Sequence, residues 1–130
     1  MSYHTADTIT AVASAPGGAA RGIVRISGSG ALPIVRAKFE TTETWPPDVT
    51  SAPTAVAGCF QTSTFDQPLP ARVCLWPTAR SFTREPLAEI HTLGSPPLLE
   101  AVVQTLLEQG ARLAEPGEFT MRAFLAGRID

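Results

Sequence analysis

The chain has 130 residues, 44% of them apolar, enough for one core and one domain of ordinary size. Charged residues make up 17%, the net charge is -2 and the pI about 5.6, so the totals carry no basic footprint for nucleic acid. No apolar run approaches the roughly 18 residues of a membrane span and the N-terminus has no basic start leading into an apolar stretch, which excludes a membrane partner and predicts a cytoplasmic location.

In chain order, residues 8–13 read as a strand that ends in a turn at Ala15-Pro16-Gly17-Gly18. The next strand, 22–27, turns Ile23, Arg25 and Ser27 to one side and Val24 and Ile26 to the other. A charge among apolar neighbours needs a partner, so Arg25 is a candidate site residue. A short helix follows, with Ser29 as its N-cap and Pro33 in its first turns, carrying Leu32, Ile34, Val35 and Phe39 toward the core. Residues 40–53, rich in Thr and Pro, read as a loop. Two runs, 54–62 and 71–76, form a hairpin with a long connection, and each holds one cysteine, Cys59 or Cys74. Neither has a Cys or His at ligand spacing, so both read as small buried hydrophobes in a reducing compartment.

After the polar stretch 78–84 comes a strand at 87–92. There Glu89 and His91 share one face, opposite Ala88 and Ile90. The carboxylate could accept parallel hydrogen bonds from a ligand, act as a base, or pair with Arg25 or Arg128. The clearest helix opens at Pro96-Pro97 and carries Leu98, Leu99, Val102, Val103, Leu106 and Leu107 on one stripe, with Gly110 just beyond its end. A short strand at 111–114 and a helical pattern at 120–125 close the chain. In that last pattern Arg122 and Arg128 bracket Phe124 and Leu125, as exposed arginines of an amphipathic helix. The order of elements predicts an α+β domain with a mixed sheet and about three helices.

Two nucleotide readings fail on their own residues. Gly28-Ser29-Gly30 lies between a strand and a helix, but Pro33 stands where a dinucleotide fingerprint needs its third glycine. Around Pro16-Gly17-Gly18 no Gly-Lys-Ser/Thr follows, so no Walker loop is present. Nine of the ten basic residues are Arg, Lys38 being the exception, a choice that suits planar recognition of carboxylate or phosphate.

The run from Pro116 to Asp130, Pro-Gly-Glu-Phe-Thr-Met-Arg-Ala-Phe-Leu-Ala-Gly-Arg-Ile-Asp, resembles the signature of the tRNA-modification GTPases called MnmE or TrmE. Asp7-Thr8-Ile9, Gly22-Ile23-Val24-Arg25-Ile26-Ser27-Gly28, and Ser81-Phe82-Thr83-Arg84-Glu85 running into Glu89-Ile90-His91 fall in the same order, so the resemblance covers nearly the whole chain. It implies that residues 1–130 are the N-terminal folate-binding and dimerisation domain, with about 118–130 leading toward a helical domain and with the GTPase domain, its GTP, Mg and K absent. It further implies a ligand such as 5-formyltetrahydrofolate or another one-carbon tetrahydrofolate, a homodimer, and an FAD- and NADH-dependent partner of the MnmG or GidA type. The whole complex, rather than this domain, would hold the tRNA whose wobble uridine is modified at C5.

Carried over by position, the folate contacts of the family fall on Arg25, Glu89 and Arg128, with no catalytic residue and no metal ligand assigned. Departures from the family pattern cluster near these positions: His91-Thr92-Leu93-Gly94-Ser95-Pro96 replaces His-x-His-Gly-Gly-Pro, Ala126 replaces Asn, and Gly17-Gly18-Ala19-Ala20-Arg21 shifts a Gly-Arg-Gly-Gly order. Two other functions fit the residues, a pure dimerisation module with a degenerate site and a relative of the folate-dependent aminomethyltransferases.

Overall fold

Alternation along the strands decides the architecture, because apolar residues at every second position oblige the sheet to cover one face. The computed structural model describes residues 7–14, 20–45 and 52–127. Within them run β1 (Ile9–Val12), β2 (Arg21–Ser27), α1 (Ala31–Arg36), β3 (Phe39–Glu40), β4 (Thr54–Phe60), β5 (Leu69–Trp76), β6 (Leu87–Leu93), α2 (Pro96–Glu108), β7 (Arg112–Leu113) and α3 (Glu118–Leu125). The strands form one sheet in the order β3-β4-β5-β6-β2-β1-β7. Every pairing is antiparallel except that of β1 with β7, so the sheet is mixed and the fold is α+β.

Register lines up Val24, Ile90, Val73 and Val56 in one row across the sheet, with Ile26, Ala88 and Leu75 in the next. These side chains are buried and form the core together with Val35 of α1 and Leu99, Val102 and Leu106 of α2. Fully burying a side chain of this size contributes about 1.5–3 kcal/mol, so the two rows and the α2 stripe dominate the stability of the fold. Gly22 permits the close approach of α2 to β2: a Cβ built there would lie 2.6 Å from the Leu99 side chain. Inside α2 the buried Thr105 hydroxyl donates to the Ala101 carbonyl at 2.8 Å and accepts from the Ser63 amide at 2.9 Å, pinning the β4–β5 connection to the helix. Among the described residues no helix is long and apolar enough to cross a membrane.

Several elements depart from expectation for local reasons. The N-cap of α1 is Gly30, not Ser29, and no side chain of the helix caps it. Thr8 does that work from β1's side, accepting the Gly30 amide at 2.9 Å. Phe39 leaves the helix for β3, where it pairs with Phe60, so the loop after it begins later than residue 40. The cysteines are free and only half-buried, because Cys59 and Cys74 both point to the sheet face that α1 and α2 leave uncovered. The turn expected at residues 15–18 lies outside the described residues.

Candidate functional site

On the uncovered face, register sets Ala11, Arg25, Glu89, Cys74 and Ala55 side by side in one row. Arg25 and Glu89 meet across β2 and β6: the guanidinium donates to Glu89 Oε2 from Nη2 at 2.8 Å and from Nε at 3.0 Å. The other oxygen, Oε1, lies 3.1 Å from His91 Nε2, and since a carboxylate only accepts, the imidazole N–H is the donor. Phe119 of α3 covers the guanidinium, 5.6 Å from ring centroid to Cζ. The side chains of Arg25 and Glu89 keep 28% and 14% of their surface exposed. This cluster is thus ordered by contacts on three sides and still reachable from solvent.

Glu89 also acts on Cys74, its neighbour on β5. Burial pushes the Cys74 thiol above its ordinary pKa, and the Glu89 charge pushes it further, against the opposing charges of Arg72 and Arg21. Both effects disfavour the thiolate of Cys74. One row further along, Arg72 pairs with His91. A cavity of about 420 Å³ opens there, lined by Arg21, Arg72, His91 and Leu93 among others.

At the opposite end the same face is closed by α3 and the segment leading into β6. Here charges are buried outright, with Glu118 1% and Arg122 4% exposed. Ser27 Oγ donates to Glu85 Oε2 at 2.6 Å, and Arg122 Nη1 donates to the same oxygen at 2.8 Å. Glu118 accepts from Arg112 through both oxygens, at 3.1 and 2.7 Å, and takes the Glu115 amide at 2.9 Å. Arg112 reaches on to Asp7 at 2.8 Å. The Arg112 hydrogen bonds hold the Glu118 carboxyl below the usual carboxylate range against the effect of burial, helped by the Glu115 amide and the Arg122 charge. Arg122 is therefore not the exposed arginine that the helical pattern suggested; a salt bridge to a residue 37 positions earlier draws it inside.

Of the three candidate residues, the fold brings Arg25 and Glu89 into direct contact, while Arg128 lies outside the described residues. Among the described residues no group of three or more His, Cys, Asp or Glu side chains could hold a metal ion. Sequence reasoning does not find Arg72 and Cys74 on β5 beside His91 and Glu89, because only the β5–β6 register reveals them, nor Arg21, which the β2–β6 register sets opposite Leu93 on the same face. A half-buried carboxylate flanked by an arginine and a histidine can accept paired N–H donors from a polar ring while the arginine meets an acceptor on it.

Residues 8–128 match the family described as "GTP-binding protein TrmE N-terminus". The tRNA modification GTPase MnmE of Rhodopirellula baltica is 41% identical over 133 aligned residues, which cover 100% of this chain and 28% of that protein. The protein of the same name from a Synechococcus species is 46% identical over 128 residues, 96% of this chain and 27% of its own length. That from Dechloromonas aromatica is 41% identical over 124 residues, covering 95% and 26%. The chain thus spans a little over a quarter of the length of these curated relatives.

Proposed function

Because the chain belongs to the family of TrmE N-termini, we propose that it holds a one-carbon tetrahydrofolate, such as the 5-formyl form, on the open sheet face at Arg25 and Glu89. The observation that carries this reading is the half-buried Arg25–Glu89–His91 cluster, fixed by hydrogen bonds yet open to solvent. The donor set fits the ligand. Glu89 is acceptor-only as a carboxylate with about four lone-pair sites, of which Arg25 takes two on Oε2 and His91 one on Oε1, so it can take one pterin N–H directly and a neighbouring one where His91 gives up its place on Oε1. Arg25 uses Nε and Nη2 on Glu89, which leaves Nη1 for a carbonyl or formyl oxygen. Phe119 restricts the guanidinium and shields it from water on one side. The bound folate would supply the one-carbon unit; the chain's own residues bind and orient it. Arg128 is assigned to the same pocket through the family resemblance.

The relatives' names supply the tRNA modification GTPase, and the family resemblance supplies the rest of the larger setting. This domain would serve a cytoplasmic tRNA modification GTPase whose GTP, Mg and K sites lie in a further domain. It would pair with a second copy of itself and work with an FAD protein of the MnmG or GidA type on the wobble uridine of tRNA. Exposed Val12, Leu113, Phe124 and Leu125 supply apolar surface for such assembly. Calorimetric titration of the 130-residue chain with 5-formyltetrahydrofolate tests the site: saturable heat in the native chain and its loss in Glu89→Ala is the expected result. Equal binding by both would refute the assignment.

A second reading keeps only the dimer. It draws on Leu93, which projects 59% exposed from the strand that carries Glu89 and His91, where the family has a histidine. A dimer by sedimentation together with no heat from folate would select it.

A further inference from the structure

The open face has a direction. Along β6 the side chains of this face run from Leu87, 3% exposed, through half-buried Glu89 and His91 to Leu93, 59% exposed; along β2 they run from buried Ser27 through Arg25 to exposed Arg21. Ser27, Thr83, Glu85 and Arg122 close one end with their hydrogen bonds. Along the strands, a ligand anchored at Glu89 can therefore extend past His91 and not toward Ser27.

That path ends between two arginines. Arg21 and Arg72 are exposed, line the same cavity of about 420 Å³ as His91, and have no ion-pair partner among the described residues. Strand spacings place the Arg72 Cα about 8 Å from that of Glu89 and the Arg21 Cα about 14 Å from it. Alternation along β2 and β5 puts Arg21 on the face of Arg25 and Arg72 on the face of Cys74, which is the face of Glu89. In a chain of net charge -2, two uncompensated guanidinium groups at one cavity form a local anion site. Planar guanidinium forks suit carboxylates in particular.

We propose that Arg21 and Arg72 form a subsite for the glutamate carboxylates of the folate, whose pterin lies at Glu89. This inference rests on the folate reading and gives the ligand its orientation: ring toward Phe119, tail past His91, successive glutamates at Arg72 and then Arg21. A second arginine pair, Arg80 and Arg84, lines a separate cavity of about 360 Å³ with Trp76 and Phe82. It lies beyond the buried Leu87, which pairs with Trp76, and so on the closed side of Glu89.

The test is calorimetric titration of the native chain, the double variant Arg21→Gln/Arg72→Gln, and Arg80→Gln/Arg84→Gln. Three probes are used: 5-formyltetrahydrofolate, its triglutamate, and 6-methyltetrahydropterin, which has no glutamate. In the native chain the triglutamate binds more tightly than the monoglutamate, and affinity for both falls with added salt. Arg21→Gln/Arg72→Gln weakens 5-formyltetrahydrofolate about tenfold, removes the triglutamate gain and flattens the salt dependence, while 6-methyltetrahydropterin binds as before; about one decade is what losing a charge-assisted contact of this kind costs. Unchanged folate affinity in that variant, or the same loss in Arg80→Gln/Arg84→Gln instead, overturns the subsite and leaves folate binding standing. No binding of any probe by the native chain overturns the folate reading itself, and the subsite with it.

Discussion

Two clusters of arginine and glutamate share one face of the sheet and have opposite fates. At the closed end Glu118 and Arg122 are buried, and Arg112, Glu85, Ser27 and the Glu115 amide surround them with partners. In the middle, Arg25, Glu89 and His91 satisfy one another but stay within reach of solvent. The same residue types thus serve two purposes, and burial is what separates them. A network with Glu118 and Arg122 buried at its centre locks α3 onto the sheet, whereas a cluster with no member buried outright can trade water for a ligand. The closing segment of the chain contributes to both, because α3 carries Glu118 and Arg122 into the lock and lays Phe119 over Arg25.

Removing one partner from the closed network strands a buried charge, which costs about 3–5 kcal/mol. Arg122→Ala should therefore lower the unfolding free energy of the chain by about that amount in urea denaturation, the largest effect anticipated. A loss under about 1 kcal/mol would mean that α3 is held by its apolar side alone. Acid should act on the same end. With its folded pKa lowered, Glu118 contributes stability that is fully present above the unfolded carboxylate range and is lost as pH falls through the lower folded value. The stability gap between the native chain and Glu118→Gln is then wide at about pH 6 and narrows toward about pH 3. A gap independent of pH would show that the network is held by shape and not by charge.

The open cluster should answer differently. Glu89→Ala leaves Arg25 within reach of solvent, so its cost in stability stays well below that of Arg122→Ala, at about 1 kcal/mol in the same urea titration. A cost as large as that of Arg122→Ala would make the Arg25–Glu89 pair a structural element like its neighbour. The smallest effect concerns Cys74. Glu89→Gln removes one of the causes that raise its pKa, so the thiol should react with a disulfide reagent a few-fold faster at about pH 8. No change would place Glu89 out of electrostatic reach of β5.

The sequence made the open cluster half visible and the closed one almost invisible, for physical reasons. Alternation alone sets Arg25 against Val24 and Glu89 against Ile90, which is why both stood out as charges in need of partners. Their contact depends on antiparallel pairing of β2 with β6, the arrangement that puts Arg25 opposite Glu89. Arg72 and Cys74 were hidden because the long β4–β5 and β5–β6 connections leave register undetermined until the core rows align. Arg122 was misread because a helical pattern reports only the periodicity of its own segment, while its partner Glu85 comes from a distant loop. The two-residue strand β3 carries no periodicity and forms only because β4 presents an edge, whereas β7 falls within the strand read at 111–114.

The contrast between the two clusters is tested most directly by following arginine Nε–H and histidine ring signals in nuclear magnetic resonance spectra as 5-formyltetrahydrofolate is added to the chain. Shifts that saturate at Arg25 and His91, with Arg112 and Arg122 unmoved, are the result that follows from an open binding cluster beside a closed structural one. Shifts at Arg112 and Arg122 with Arg25 and His91 silent would contradict it.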